Sequence, residues 1–153
     1  MGDTTHNNHS AAQDFIARWS GKAASELSTA QSFVNELCAL LGVEPPTHEP
    51  DYMFERPITF RHGDGSSSAG RIDCYRRGHF VLEAKKLKAG PATKGFDDAL
   101  LRARAQAEGY ARALPASEGR PPFCVVVDVG TARELSRHFR EEVVRTAQVQ
   151  YAR

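Results

Sequence analysis

The sequence predicts an α/β fold of the mixed (α+β) type, a four-stranded mixed sheet flanked by helices, on three observations. Two long segments repeat apolar residues at helical spacing, three short segments between turn signals read as strands of an antiparallel meander, and a later segment is a continuous apolar run. Helices on both faces follow from that order, because each apolar helix face needs a sheet face to cover it.

The elements follow in chain order. Ser10 and Gln13 form a capping-box pattern, after which Phe15, Ile16 and Trp19 share one side of a short helix that Gly21 ends. From about Ala23, residues Leu27, Phe33, Val34, Leu37, Cys38 and Leu41 recur at helical spacing, and Gly42, Pro45 and Pro46 supply the stop. Ile58 to Arg61 reads as a strand, and His62 to Ser66 as a turn. A second strand runs from about Ser68 to Tyr75, and Arg76-Arg77-Gly78 turns the chain into a third, His79 to Lys86. Lys88 to Gly95 is a loop. Phe96, Ala99, Leu100, Ala103, Ala107, Tyr110 and Leu114 then trace a helical face up to Pro115. The run Phe123 to Val129 has the pattern of a strand buried on both faces, inside the sheet. Thr131 and Glu134 open a charged segment expected to be helical.

With 153 residues, the chain is long enough for one domain with a hydrophobic core. The expected division is a disordered leader over 1–11, the α/β domain over 12–130 and a charged helical tail over 131–153. Residues 1–10 lack the apolar stretch of a secretory signal, and no apolar run approaches the roughly 20 residues of a membrane span, so a cytoplasmic protein with no membrane partner is expected. Twenty Lys and Arg against nineteen Asp and Glu leave a net charge of +1, so only local charge speaks to a polyanionic partner. Cys38, Cys74 and Cys124 form no Cys-x-x-Cys pair and read as reduced thiols packed as small apolar groups. No two His residues stand four apart on a helix, which excludes the common zinc pattern.

The stretch from Gly70 to Lys85 places Asp73, Glu83 and Lys85 where a core hairpin should be apolar. With the turn centred on Arg77, Asp73 lies opposite Val81, and period-2 alternation puts Asp73, Val81, Glu83 and Lys85 on one face. Two carboxylates and an ammonium converging in a buried hairpin are costly to desolvate unless they pair or bind something. A hard divalent cation, Mg²⁺ or Mn²⁺, is the natural partner, held by Asp73, Glu83 and the Ala84 carbonyl. Lys85 would orient a water or offset transition-state charge in phosphodiester hydrolysis. The same triplet is also what a surface salt bridge on an edge hairpin looks like. Its setting favours the site: an apolar strand precedes it, an acid lies across a Gly-containing turn, and Gln106 and Tyr110, four apart, face one way on the following helix.

Other candidates surround this core. Glu36 on the first long helix is a candidate further metal ligand, and equally a solvated helix carboxylate. Lys86, Lys88 and Lys94, with Arg102, are candidate phosphate contacts to DNA, and equally a solvated charged face.

The order Asp73, Glu83-x-Lys85, Gln106-x-x-x-Tyr110 resembles the PD-(D/E)xK nucleases, whose RecB-like branch uses such a Gln and Tyr near the active site. Phe15 to Trp19, Glu36-Leu37-Cys38, Phe54-Glu55-Arg56, Gly70-Arg71-Ile72-Asp73, Leu82-Glu83-Ala84-Lys85 and Gln106 to Leu114 look like the N-terminal nuclease region of MmeI-like (type IIL/IIG) restriction-modification enzymes, over roughly residues 12 to 130. That resemblance implies a restriction-endonuclease-like core and a metal-dependent DNA endonuclease of bacterial defence, with Gln106 and Tyr110 supporting the site. In that family the nuclease domain is joined to an adenine-specific DNA methyltransferase that uses S-adenosylmethionine. These residues hold no Asn-Pro-Pro-Tyr-like motif and no Gly-rich cofactor loop after a strand, so methylation is expected of a separate subunit or a lost downstream part. Residues after Gly130 depart from the family pattern, which leaves open a truncated remnant. A DNA-contacting module without turnover and a nucleic-acid-processing enzyme acting alone are the other readings. A double-strand cut needs two active sites, so a homodimer is a further expectation.

Overall fold

The computed structural model describes residues 4–19, 26–87 and 93–129. Helices α1 (Thr4–Trp19) and α2 (Glu26–Leu41) precede strands β1 (His48–Glu49), β2 (Tyr52–Arg61), β3 (Ser67–Arg76) and β4 (Phe80–Lys85). Helix α3 (Lys94–Ala113), a single 3-10 turn (Ala116–Glu118) and strand β5 (Phe123–Asp128) follow. The strands form one mixed sheet in the order β1-β2-β3-β4-β5, antiparallel except for the parallel β4–β5 pair. Lys88 and the expected tail over 131–153 lie outside the described residues.

Two apolar clusters cover the two faces of the sheet. Trp19, Ala30, Val34 and Cys38 from α1 and α2 pack with Cys74, Leu82 and Ala84 on one face. Ala107, Tyr110, Ala111 and Leu114, from α3 and the residue after it, pack with Ile58, Ile72, Tyr75 and Val81 on the other. The helices expected on both sides are therefore present, and β4 shows why: Val81 faces α3 while Leu82 and Ala84 face α1 and α2.

Four expectations are corrected. Helix α1 begins at Thr4, so most of the stretch expected as a disordered leader is helical, with no Gly or Pro between Thr4 and Ser10 to prevent it. The sheet has five strands because His48–Glu49 adds a short edge beside Tyr52 and Met53. This shortness also explains how β2 contains Pro57. Strand β1 does not reach Pro57, so the missing N–H removes no ladder bond on that side. The apolar run of β5 lies at the sheet's edge, with Phe123 65% exposed, because α3 crosses over to place it outside β4 and no described residue pairs beyond it. Cys124, on that edge, is exposed, whereas Cys38 and Cys74 are buried as expected.

Helix α3 starts with Thr93 as its cap, the Thr93 hydroxyl accepting from the Phe96 N–H at 3.3 Å. The turn after it is clamped to the sheet. The Glu118 carboxylate pairs with the Arg56 guanidinium and accepts the Tyr75 hydroxyl hydrogen at 2.6 Å, with the guanidinium 5.1 Å from the centre of the Tyr75 ring. Burial and the Glu118 carboxylate push the Tyr75 phenol above its ordinary range, so it stays a donor.

Glu118→Ala strands the half-buried Arg56 charge and the Tyr75 hydroxyl. It is expected to lower the unfolding free energy by roughly 2 kcal/mol, measured by urea denaturation. Burial also pushes the Cys74 thiol from 9.0 up to about 12. Cys38 and Cys74 are buried whereas Cys124 is exposed, so a thiol-specific reagent at pH 8 should label Cys124 alone until denaturant is added, scored by mass.

Candidate active site

The β3–β4 hairpin pairs Cys74 with Leu82, Tyr75 with Val81 and Arg76 with Phe80. The turn is therefore centred on Gly78, whose φ of 70° is the left-handed conformation glycine adopts without penalty. It lies one residue later than the sequence suggested, and Tyr75 rather than Asp73 stands opposite Val81. A one-residue move of the turn centre shifts the pairing by two, which preserves parity. Asp73, Tyr75, Val81, Glu83 and Lys85 keep a common register parity, and Asp73 comes level with Glu83.

The ladder stops at Cys74–Leu82, and a side chain takes over. The Asp73 Oδ2 accepts the Ala84 N–H at 2.8 Å, so the carboxylate replaces a strand carbonyl as acceptor and is fixed between Glu83 and Lys85. Glu83 is 2% exposed, and its Oε1 accepts from Lys85 Nζ at 2.7 Å. The lysine side chain is 28% exposed, so the pair runs from the interior to solvent. A carboxylate this buried needs that compensation, which Lys85, two residues on and thus on the same face, supplies.

Strand β5 closes the far side. Lys85 is level with Asp128 in the parallel register, the Val129 N–H donates to the Lys85 carbonyl at 2.7 Å, and the Leu87 N–H donates to Asp128 Oδ1 at 3.1 Å. Sequence reasoning passed over Asp128 as part of the apolar run. The available signal was a lone acid ending a parallel strand, where open α/β sheets place ligands.

The remaining candidates divide. Gln106 Nε2 donates to the Tyr110 hydroxyl at 2.8 Å, as their spacing implies, and Tyr110 packs with Ile72 and Val81 on the face that carries Glu83. Glu36 is elsewhere: its Oε2 accepts from Trp19 Nε1 at 2.9 Å and from Arg18 at 3.3 Å, tying α2 to α1. Among the described residues no three His, Cys, Asp or Glu side chains converge as a metal cluster, so Glu36 does not join Asp73 and Glu83. A helix carboxylate opposite an indole N–H has a ready partner, which the sequence pattern did not reveal. Lys86 is half-buried just past β4. Lys94 and Arg102 are exposed on α3, with Lys94 bonded to Asp98 at 2.9 Å.

Gly70 has a packing role. A Cβ there would lie 2.7 Å from Phe60 Cε2 and 3.1 Å from both Ile58 and Tyr110.

A buried glutamate beside a half-buried aspartate at the end of a strand pair, in a mixed α/β sheet, marks a domain whose polar groups are organised at one strand end. The family model of the MmeI N-terminal domain matches residues 8–150, and the chain belongs to that family, which sets it in the context of restriction-modification enzymes. Neither the comparison with curated proteins nor that with solved structures finds a match. No helix among the described residues is long and apolar enough to cross a membrane.

Gly70→Ala should overpack the Phe60–Tyr110 contact and destabilise the fold by about 1–3 kcal/mol, read as a lower denaturation midpoint at unchanged m-value.

Proposed function

We propose that this domain is a metal-dependent DNA endonuclease of PD-(D/E)xK type serving a restriction-modification system. The observation that carries the proposal is the Asp73 carboxylate anchored on the Ala84 N–H, which joins Asp73, Glu83 and Lys85 at one strand end. The donors fit the ion: two carboxylates and the Ala84 carbonyl are all oxygen, and Mg²⁺ commonly binds through one or two carboxylates while keeping several waters. Asp73 and Glu83 would hold Mg²⁺ or Mn²⁺, which when bound supplies Lewis acidity at a phosphoryl oxygen.

The chain's own residues do the rest. Lys85, with only donors, orients a water and sets positive charge against the developing phosphorane oxygen. In the hydrolysis a water oxygen bonds to phosphorus, a bridging P–O bond breaks, and a proton ends on the leaving oxygen. Gln106 and Tyr110 hold the α3 side of the site, while Lys86, Lys94 and Arg102 neutralise phosphates of bound DNA. A separate S-adenosylmethionine-dependent methyltransferase and a second copy of the chain are the partners this reading implies, the latter for a double-strand cut.

A second reading, a DNA-contacting module without turnover, is favoured by the Lys85–Glu83 ion pair, which already satisfies part of the carboxylate.

Mg²⁺- or Mn²⁺-dependent cleavage of plasmid and single-stranded DNA separates the two. The endonuclease reading expects metal-dependent nicking that Lys85→Ala and Asp73→Ala each reduce on the order of 100-fold or more. DNA retention with no cleavage, and no calorimetric Mn²⁺ binding that depends on Asp73 and Glu83, would leave the binding module.

A further inference from the structure

Glu55 carries a left-handed backbone, φ 54°, in the interior of β2, alone among the described non-glycine residues. The β2–β3 ladder pairs Phe54 with Cys74 and Arg56 with Ile72, and between them the Glu55–Asp73 pair is missing although the register is unchanged. Residues two apart on a strand ordinarily share a face. Here they do not. Phe54 and Cys74 pack in the cluster under α1 and α2, whereas Ile72 and, further along, Ile58 and Phe60 pack in the cluster under α3. The two-stranded ribbon therefore turns over at Glu55 and Asp73, and Asp73 is the residue released from the ladder there.

We infer that Glu55 is a positioning residue for Asp73: its left-handed backbone reverses the ribbon so that the Asp73 carboxylate reaches the Ala84 N–H instead of following the ladder. The Glu55 side chain reinforces the turn-over from the neighbouring strand, its carboxylate accepting from Arg71 at 3.0 Å, two residues before Asp73. A left-handed residue inside a strand is sterically disfavoured for every residue with a Cβ, least for Asn, and persists where the surroundings hold it. The packing of two clusters on opposite faces is what holds it here.

This geometric role stands on contacts in the protein, while its consequence for metal binding rests on reading Asp73 as a ligand. The test uses the full chain with Glu55→Gly and Glu55→Asn, which accept a positive φ, against Glu55→Val and the milder Glu55→Ala, which resist it. Arg71→Ala removes the ion pair alone. The first readout is hydrogen exchange of the Ala84 amide by NMR, with Leu82 in the same strand as reference. Glu55→Gly and Glu55→Asn should keep Ala84 protection near wild type, and Glu55→Val should speed its exchange about tenfold or more relative to Leu82. If Glu55→Val does not fold, Glu55→Ala gives the same comparison with a smaller effect. Rescue by Gly and Asn is what a role through the side chain alone would not produce. Unchanged Ala84 exchange in Glu55→Val or Glu55→Ala, or a loss in Glu55→Gly equal to theirs, overturns the inference. Mn²⁺ affinity is the second readout. If the Ala84 amide responds as stated while the wild type binds no Mn²⁺, the endonuclease reading fails and the positioning role stands; if the wild type binds and cleaves while the amide is indifferent to Glu55, the reverse holds.

Discussion

A carboxylate at 2% exposure has to be compensated, and much of the molecule is arranged around meeting that constraint for Glu83. Lys85 provides the counter-charge along the same strand face, with its stem reaching outward to solvent. Strand β4 can hold this pair because it is central: β3 and β5 bond its two edges, and helices cover both faces. A charge pair of this kind is poor evidence of stabilisation, since apolar residues of similar size often serve the fold as well. Its presence in the interior is one ground for the endonuclease reading proposed above.

Around that pair the backbone departs from regular sheet in linked places. The β3–β4 ladder ends early, the β2–β3 ladder skips one pair, and the Asp73 side chain fills the acceptor role that a carbonyl would have had. Where the β3–β4 ladder ends, the Ala84 N–H still needs a partner, and it finds the Asp73 carboxylate. The left-handed residue opposite Asp73 has a conformational cost of about 1–2 kcal/mol, small against the burial of two apolar clusters that depend on the ribbon turning over.

The periphery shows the same economy of contacts. The Arg56–Glu118–Tyr75 clamp fixes the turn between α3 and β5, while the parallel β4–β5 register sets Asp128 level with Lys85. On the opposite face, Glu36 spends its carboxylate on Trp19 and Arg18, docking α1 on α2. Asp128, which the sequence did not mark, and Glu36, which it did, thus have different fates, and the difference lies in which polar hydrogens the packing brings within reach.

What the sequence by itself determined is what local periodicity controls: the apolar faces of α2 and α3, the three-stranded meander, the common parity of Asp73, Glu83 and Lys85, and the Gln106–Tyr110 pair. These depend on residues a few positions apart, so spacing alone makes them legible. Tertiary structure alone decided the edge position of β5, the added β1, the helix clamp that takes Glu36, the approach of Asp128 and the reversal at Glu55. Each of these is set by pairing and packing between segments far apart in the chain, where the energy of a contact depends on the partner it meets and no periodicity records that partner in advance.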